Sequence, residues 1–202
     1  MLLPARVRLT LIALTLCALA AVVGVSLAAR QAAGPERLEL TNGWAGSIRP
    51  PGQDVPEFTL TDQDGETVTS ASLRGTPVVY AFVYSTCQDT CPAQVQTIKG
   101  GVDGVDRKDV RVIGISVDPA NDTRKRAASF LLKQGMTGRM DFLLGTREQL
   151  APVWKAFGIA PQQDDLDHSA HTILADPKGM QRIGFPFDKM TEEALAHDLA
   201  RL

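Results

Sequence analysis

Cysteine is scarce in this 202-residue chain. There are three, and only Cys87 and Cys91 lie beyond the apolar start that holds Cys17. Two thiols cannot furnish a closed four-cysteine zinc site. An excess of positive charge is missing too: beyond residue 40 there are 17 Lys/Arg against 21 Asp/Glu with no basic run, which excludes the electrostatic footprint of a nucleic-acid binder. Internal repeats are absent, and so is low-complexity sequence apart from an Ala-rich start. No Met-rich copper motif exists either. Met136, Met140, Met180 and Met190 are scattered and read as packing residues, as do Trp44 and Trp154. At 44% apolar and 22% charged the composition is that of a globular protein, and the length allows one domain with an appendage.

The appendage is Leu9 to Ala29, 21 uncharged and mostly apolar residues. As a helix it extends about 31 Å, enough for a hydrocarbon core of roughly 30 Å. Arg6 and Arg8 precede it without an acidic neighbour, which leaves the N-terminus in the cytoplasm and the bulk of the chain outside. Ser26-Leu27-Ala28 satisfies a small-x-small cleavage rule. The run is longer than a signal peptide's usual apolar core, which favours an uncleaved anchor. Residues 1–30 therefore read as a membrane anchor or signal segment, 31–53 as a tether and 54–202 as the domain. Cys17 follows the bulky Leu16 and reads as a small apolar residue of a membrane helix, not a lipid attachment point. Outside the cytoplasm thiols oxidise, so a working Cys87/Cys91 pair needs a reductant or a metal to hold it.

Along the domain, residues 30–56 mix Gly, Pro and polar residues and read as an irregular approach. Glu57–Leu60 and Glu66–Thr69 flank Thr61-Asp62-Gln63-Asp64-Gly65 as a short hairpin. Ser72–Gly75 makes a helical turn. Pro77–Tyr84 is a continuous apolar run, hence a buried strand, and Pro92–Lys99 is a helix with Cys91 in its first turn. Strand Val110–Val117 leads through Asp118-Pro119 to helix Thr123–Gln134, capped by Asn121, Asp122 or Thr123. Strand Asp141–Leu144 precedes a helix from Thr146 to Phe157, stopped by Gly158. After the acidic loop Pro161–Asp167 come strand Ala170–Ala175, a tight turn at Asp176–Gly179, strand Gln181–Phe185 and helix Thr191–Leu202. This alternation is an α/β layer design, whose functional groups sit where strands end and helices begin.

Cys87 and Cys91 occupy such a place. A helix N-terminus stabilises thiolate over thiol. Residues four apart around a first turn have Cα atoms about 6 Å apart, which suits a disulfide and equally two thiolates on one soft ion such as Cu(I). As a staple, a bridge closing so small a loop would stabilise little. Copper(I) accepts three ligands, so one histidine would complete a site. His168 stands in the loop Asp165–Ser169 with Asp167 beside it to orient the ring. His171 falls inside the next strand, where packing or edge exposure accounts for it, and His197 reads as a solvent-facing residue of the last helix.

Three segments in order resemble the SCO/SenC family of thioredoxin-like, membrane-anchored copper proteins: TCQDTCP (Thr86–Pro92), SVDPANDT (Ser116–Thr123) and LDHSAHTILADPKG (Leu166–Gly179). PEFTLTDQDGETVTSASLRG before the cysteines resembles the entry hairpin of such domains. The likeness spans roughly residues 54–200. It implies a thioredoxin-like sandwich, a central mixed sheet flanked by helices, behind one transmembrane helix. It also implies that Cys87, Cys91 and His168 bind one copper, as Cu(I) or Cu(II), for delivery to the CuA centre of cytochrome c oxidase subunit II or another extracytoplasmic acceptor. A copper donor and a thiol reductant are then further partners. Asp118 and Pro119 match the family pattern and read as holding the strand-to-helix turn. His171 is a neighbouring or alternative ligand. The same two cysteines suit a thiol–disulfide oxidoreductase that reduces target cysteines, for which His168 is irrelevant. A peroxide-reducing enzyme or redox sensor is the remaining alternative.

Overall fold

The computed structural model describes residues 4, 11, 14–25, 38–161 and 170–202. Met1–Leu38 and Glu39–Leu202 form separate units. In the first, residues 14–25 are helical. Among the described residues no helix is long and apolar enough to cross a membrane. The expected span Leu9–Ala29 lies in part outside them.

The second unit runs β1 (Ser47–Ile48), β2 (Thr59–Thr61), β3 (Thr67–Thr69), β4 (Val78–Val83), α1 (Thr90–Asp103), β5 (Arg111–Ser116), α2 (Arg124–Gln134), β6 (Asp141–Leu143), α3 (Arg147–Phe157), β7 (His171–Ala175), β8 (Gln181–Pro186) and α4 (Glu192–Leu199). Short 3-10 turns occur at Ala71–Leu73 and Phe187–Lys189. The strand order of the main sheet is β1-β8-β7-β4-β5-β6. β4, β5 and β6 are parallel, while β7, β8 and β1 join antiparallel. β2 and β3 form the expected hairpin, tied to the sheet where Thr61 bridges Leu144.

β4 lies fourth of six and is buried at every residue, because helices cover both of its faces. On one face Tyr80 and Phe82 pack on Phe157 of α3, with ring centroids 5.0 and 5.1 Å apart. Leu150, Val153 and Trp154 continue that core, and the hairpin adds Leu60 and Val68. On the other face α1 lies against α4. Gly101 makes that approach possible, since a Cβ there would come within 2.7 Å of Leu195. Phe130 of α2 meets Phe142 of β6 edge-on at 5.9 Å. The mixed sheet between two helical layers is the architecture expected.

Helix ends follow local chemistry. The Thr123 hydroxyl accepts from Arg126 N and caps α2. Thr146 and Gln149 form a capping box at the start of α3. Gly135 and Gly158 end α2 and α3 at φ 64° and 72°, the left-handed region that favours glycine.

Two features depart from expectation. The approach segment is not irregular throughout: β1 pairs with β8 through Ser47↔Gly184 and Ile48↔Ile183. Asp198, fully buried on α4, holds the preceding turn by accepting from Ala45 N and Gly46 N at 2.9 Å each. His197, expected to face solvent, is only partly exposed and lies against the same carboxylate. Its Nδ1 lies 2.8 Å from Asp198 Oδ1 and its side chain is 26% exposed.

Candidate metal centre

Strand β4 ends at Val83, and the chain turns through Tyr84, Ser85 and Thr86 to reach Cys87, whose N–H bonds back to Tyr84 O at 3.3 Å. A buried carboxylate fixes this turn. Asp122 Oδ1 accepts from Ser85 N at 2.7 Å and Ser85 Oγ at 2.5 Å, while Oδ2 accepts from Ser116 Oγ at 2.6 Å. Trp154 Nε1 donates to Ser116 O at 2.9 Å, so the end of β5 is held from the α3 side as well. Burial raises the Asp122 pKa against the opposing hydrogen bonds from Ser116 and Ser85. The sequence offered Asn121, Asp122 or Thr123 as the α2 cap. Thr123 takes that role, which frees Asp122 to tie the cysteine turn to β5. Asp118 holds the intervening turn, accepting from Asn121 Nδ2 at 2.9 Å.

The two thiols form no disulfide, are both buried, and are unequal. Cys91 is the second residue of α1, and its backbone N–H donates to Cys87 Sγ at 3.2 Å. Asp89 at the N-cap makes no side-chain capping bond, so the Cys87 sulfur serves the helix start instead. The Cys91 thiol donating to it, and then the backbone N–H groups of Cys91 and Asp89 and the Tyr84 side chain, lower the Cys87 pKa to about 5 against the cost of burial. Cys91 moves the other way. Its proton is held by the bond to Cys87, and burial disfavours its charged form. Of the pair, Cys87 is therefore the sulfur that ionises first and Cys91 the one that keeps its proton.

β7 brings a second segment to this place. It runs antiparallel to β4 with Thr172 opposite Ala81, so its first residues lie alongside the end of β4 that feeds the cysteines. Gln94, three residues after Cys91 on α1, donates from Nε2 to His171 O and to Thr172 Oγ1, both at 3.0 Å. His171 opens β7 opposite Pro186 of β8 and is half-buried. Its Nδ1 is buried and has no hydrogen-bond partner among the described residues. Burial, and secondarily Arg49, lower its pKa against Asp188. Arg49, which sequence did not single out, fastens the end of α3 through Phe157 O at 3.1 Å and the start of β8 through Gln181 Oε1 at 2.9 Å.

Of the sequence candidates, Cys87 and Cys91 come together and His171 begins the strand next to them. His168 lies outside the described residues. His197 belongs to the Asp198 cluster that holds the approach segment. Met136, Met140 and Met190 are buried packing residues. Trp154 is buried, and Trp44 lies under the Arg201 guanidinium, whose carbon is 5.3 Å from the Trp44 ring centroid. Among the described residues no cluster of three His, Cys, Asp or Glu side chains forms a metal site. The two adjoining sulfurs, with Cys87 the readier to ionise, are a donor set for a soft cation and for thiol exchange alike.

The SCO1/SenC family model matches residues 47–202. Protein SenC of Rhodobacter capsulatus is 34% identical over 130 residues, covering 60% of this chain and 58% of the relative. The mitochondrial protein SCO2 of Saccharomyces cerevisiae is 30% identical over 150 residues, covering 66% of this chain and 48% of the relative. The chain therefore spans about half the length of these two relatives. The structure of Bradyrhizobium japonicum ScoI with copper bound superposes with a TM-score of 0.62 at 31% identity, over 73% of this chain and 98% of that one.

Proposed function

The chain belongs to the SCO1/SenC family, and on that footing we propose that it is an extracytoplasmic copper carrier that serves assembly of a copper enzyme. Copper is the cargo, one ion per domain. Cys87 offers a thiolate at neutral pH, Cys91 offers a second once its proton leaves, and His168 offers an imidazole. The acceptor in this reading is the CuA centre of cytochrome c oxidase subunit II or another extracytoplasmic copper site. Leu9–Ala29 holds the domain at the membrane, and a copper donor and a thiol reductant keep it loaded and reduced.

The observation that carries the reading is the buried pair at the start of α1, where the Cys91 N–H donates to the Cys87 sulfur and favours its ionised form. A standing thiolate captures a soft cation without waiting for ionisation. A site of only two sulfurs and one nitrogen is open to displacement by an acceptor's ligands. The presence of a copper-bound relative of the same fold supports copper over other soft ions.

One observation favours a second reading. A thiolate beside a protonated partner is also what disulfide exchange requires. Cys87 would attack a target disulfide sulfur, forming a mixed disulfide and releasing one target thiolate. Cys91 would then lose its proton and attack Cys87 Sγ, freeing the second target sulfur and leaving the chain oxidised for the reductant to restore.

One experiment separates the two. The copper-loaded full chain is mixed anaerobically with the metal-free, reduced soluble domain of oxidase subunit II, and the copper-free reduced chain with the oxidised domain. A carrier moves copper to the reduced acceptor while thiols on both proteins stay reduced. A reductase returns free thiols to the oxidised acceptor and leaves copper where it was.

A further inference from the structure

We propose that the groove outside the carboxyl ends of β5 and β6 docks the partner protein beside the cysteine pair, and that the segment it takes is acidic. The proposal rests on the reading of Cys87 and Cys91 as groups that serve another protein.

In sheets with parallel strands, binding sites gather outside the carboxyl ends of the strands. β4, β5 and β6 are parallel and end together, with Val83 opposite Ser116 and Ile115 opposite Leu143. The cysteine turn leaves the end of β4. Next to it, the segments that leave β5 and β6 enclose an open groove of about 670 Å³. Pro119 and Ala120 after β5, with Leu144 and Gly145 after β6, give it an apolar lining, and Arg124 and Arg147 add two guanidinium groups. Asp122 lines it too, and the same carboxylate accepts from Ser85 N, two residues before Cys87. The groove and the cysteine turn therefore share a residue.

The charge here runs against that of the domain. Beyond residue 40 acidic residues outnumber basic ones, 21 to 17. Yet the first turn of α2 holds Arg124, Lys125 and Arg126 and no acidic residue. Helix chemistry does not account for them, since a cation at a helix start costs about 0.3–1 kcal/mol. Arg124 and Arg147 open α2 and α3, both are exposed, and neither guanidinium has a hydrogen bond or ion pair among the described residues. Arg124 lies over the hairpin turn, where a side chain at Gly65 would collide with it. The carboxylates near the groove have other partners. Asp118 accepts from Asn121 Nδ2, and Asp122 from Ser85 and Ser116. Glu148 accepts from the Thr146 side chain and feels Arg147 only as a nearby charge. Two guanidinium groups without a carboxylate, at an apolar opening beside the reactive sulfurs, fit the carboxylates of another chain.

Transfer kinetics of the full chain under anaerobic conditions test this. Copper transfer to the metal-free, reduced soluble domain of oxidase subunit II is timed at several salt concentrations. Reduction of the oxidised domain by the copper-free chain is timed in the same way. Arg124→Glu with Arg147→Glu is compared with Lys108→Glu with Lys133→Glu, which changes net charge equally, ahead of β5 and in the last turn of α2. Glutamate suits a helix start, so the arginine variant should fold. It should slow whichever reaction wild type performs by about tenfold at low salt. Added salt should close that gap, and Cu(I) affinity against a chelator should be unchanged. The lysine variant should stay within about twofold of wild type. An equal loss in the lysine variant, a loss that salt does not relieve, a fall in Cu(I) affinity, or no loss overturns docking at this groove and leaves the reading of the cysteines standing. A wild-type chain that neither delivers copper to this domain nor reduces it overturns that reading, and the docking proposal with it.

Discussion

The backbone N–H of Cys91 donates to the sulfur of Cys87 across 3.2 Å, so the first cysteine caps the helix on which the second one sits. One sulfur is thereby held as an anion by the same groups that a helix start leaves unpaired. The other keeps its proton because it donates to that anion. Metal capture and disulfide exchange, the two proposed uses of the pair, would both draw on this inequality.

Alkylation should report it. In the reduced, metal-free chain the iodoacetamide reactivity of Cys87 should titrate with a midpoint near 5, against an ordinary thiol's 9.0. Stability carries the same signature. Between these two pH values the unfolded chain holds a proton on Cys87 that the folded chain has released, so stability rises with pH across that window. It is lost as pH falls through about 5. His171, lowered chiefly by burial, acts with the same sign below its ordinary 6.5. Cys91, raised in the fold, acts oppositely: its contribution is full below the unfolded thiol's pKa and declines at more alkaline pH. Thermal melts of wild type and Cys87→Ser separate these, the variant losing the rise between pH 7 and 9 while keeping any part due to His171.

Copper loading should release about one proton per ion at pH 7. Cys87 has none to give and Cys91 must lose its own. Calorimetric titrations of Cu(I) in two buffers of different ionisation enthalpy measure the number directly. Release of two protons would mean that Cys87 is a thiol in the free chain.

Asp122 should be replaceable by its amide and by little else. Asp122→Asn retains Oδ1 for Ser85 and presents an N–H to the Ser116 hydroxyl, which can accept, so the loss should stay within about 1 kcal/mol. Asp122→Ala leaves Ser85 N, Ser85 Oγ and Ser116 Oγ without their acceptor. That should cost about 2–4 kcal/mol in urea unfolding and loosen the cysteine turn. Equal losses in the two variants would contradict the hydrogen-bond role given to the carboxylate.

Much of this architecture was legible in residue patterns, and the reasons differ by element. The apolar run Pro77–Tyr84 announced a buried strand, seen at Val78–Val83, because a segment covered on both faces has no need to alternate. Thr123, Thr146 and the stop glycine Gly158 announced helix limits because capping is local chemistry. The cysteine pair was legible from its spacing behind that strand. Polar side chains whose partners are distant in sequence were not. Ser85 and Asp122 are 37 residues apart, Gln94 and Thr172 are 78, and Gly46 and Asp198 are 152. Nothing near any of them in the chain reveals the partner, and β1 was missed because two residues of edge pairing leave no periodic pattern.

The most direct test of copper binding at the paired cysteines is an anaerobic Cu(I) titration of the reduced full chain against a competing chelator. Wild type, Cys87→Ser, Cys91→Ser and His168→Ala are compared. The account requires one tightly held ion per chain, lost with either serine and markedly weakened by the alanine. Copper that stays tightly bound when Cys87 or Cys91 is removed would place the site elsewhere and leave the pair to thiol chemistry alone.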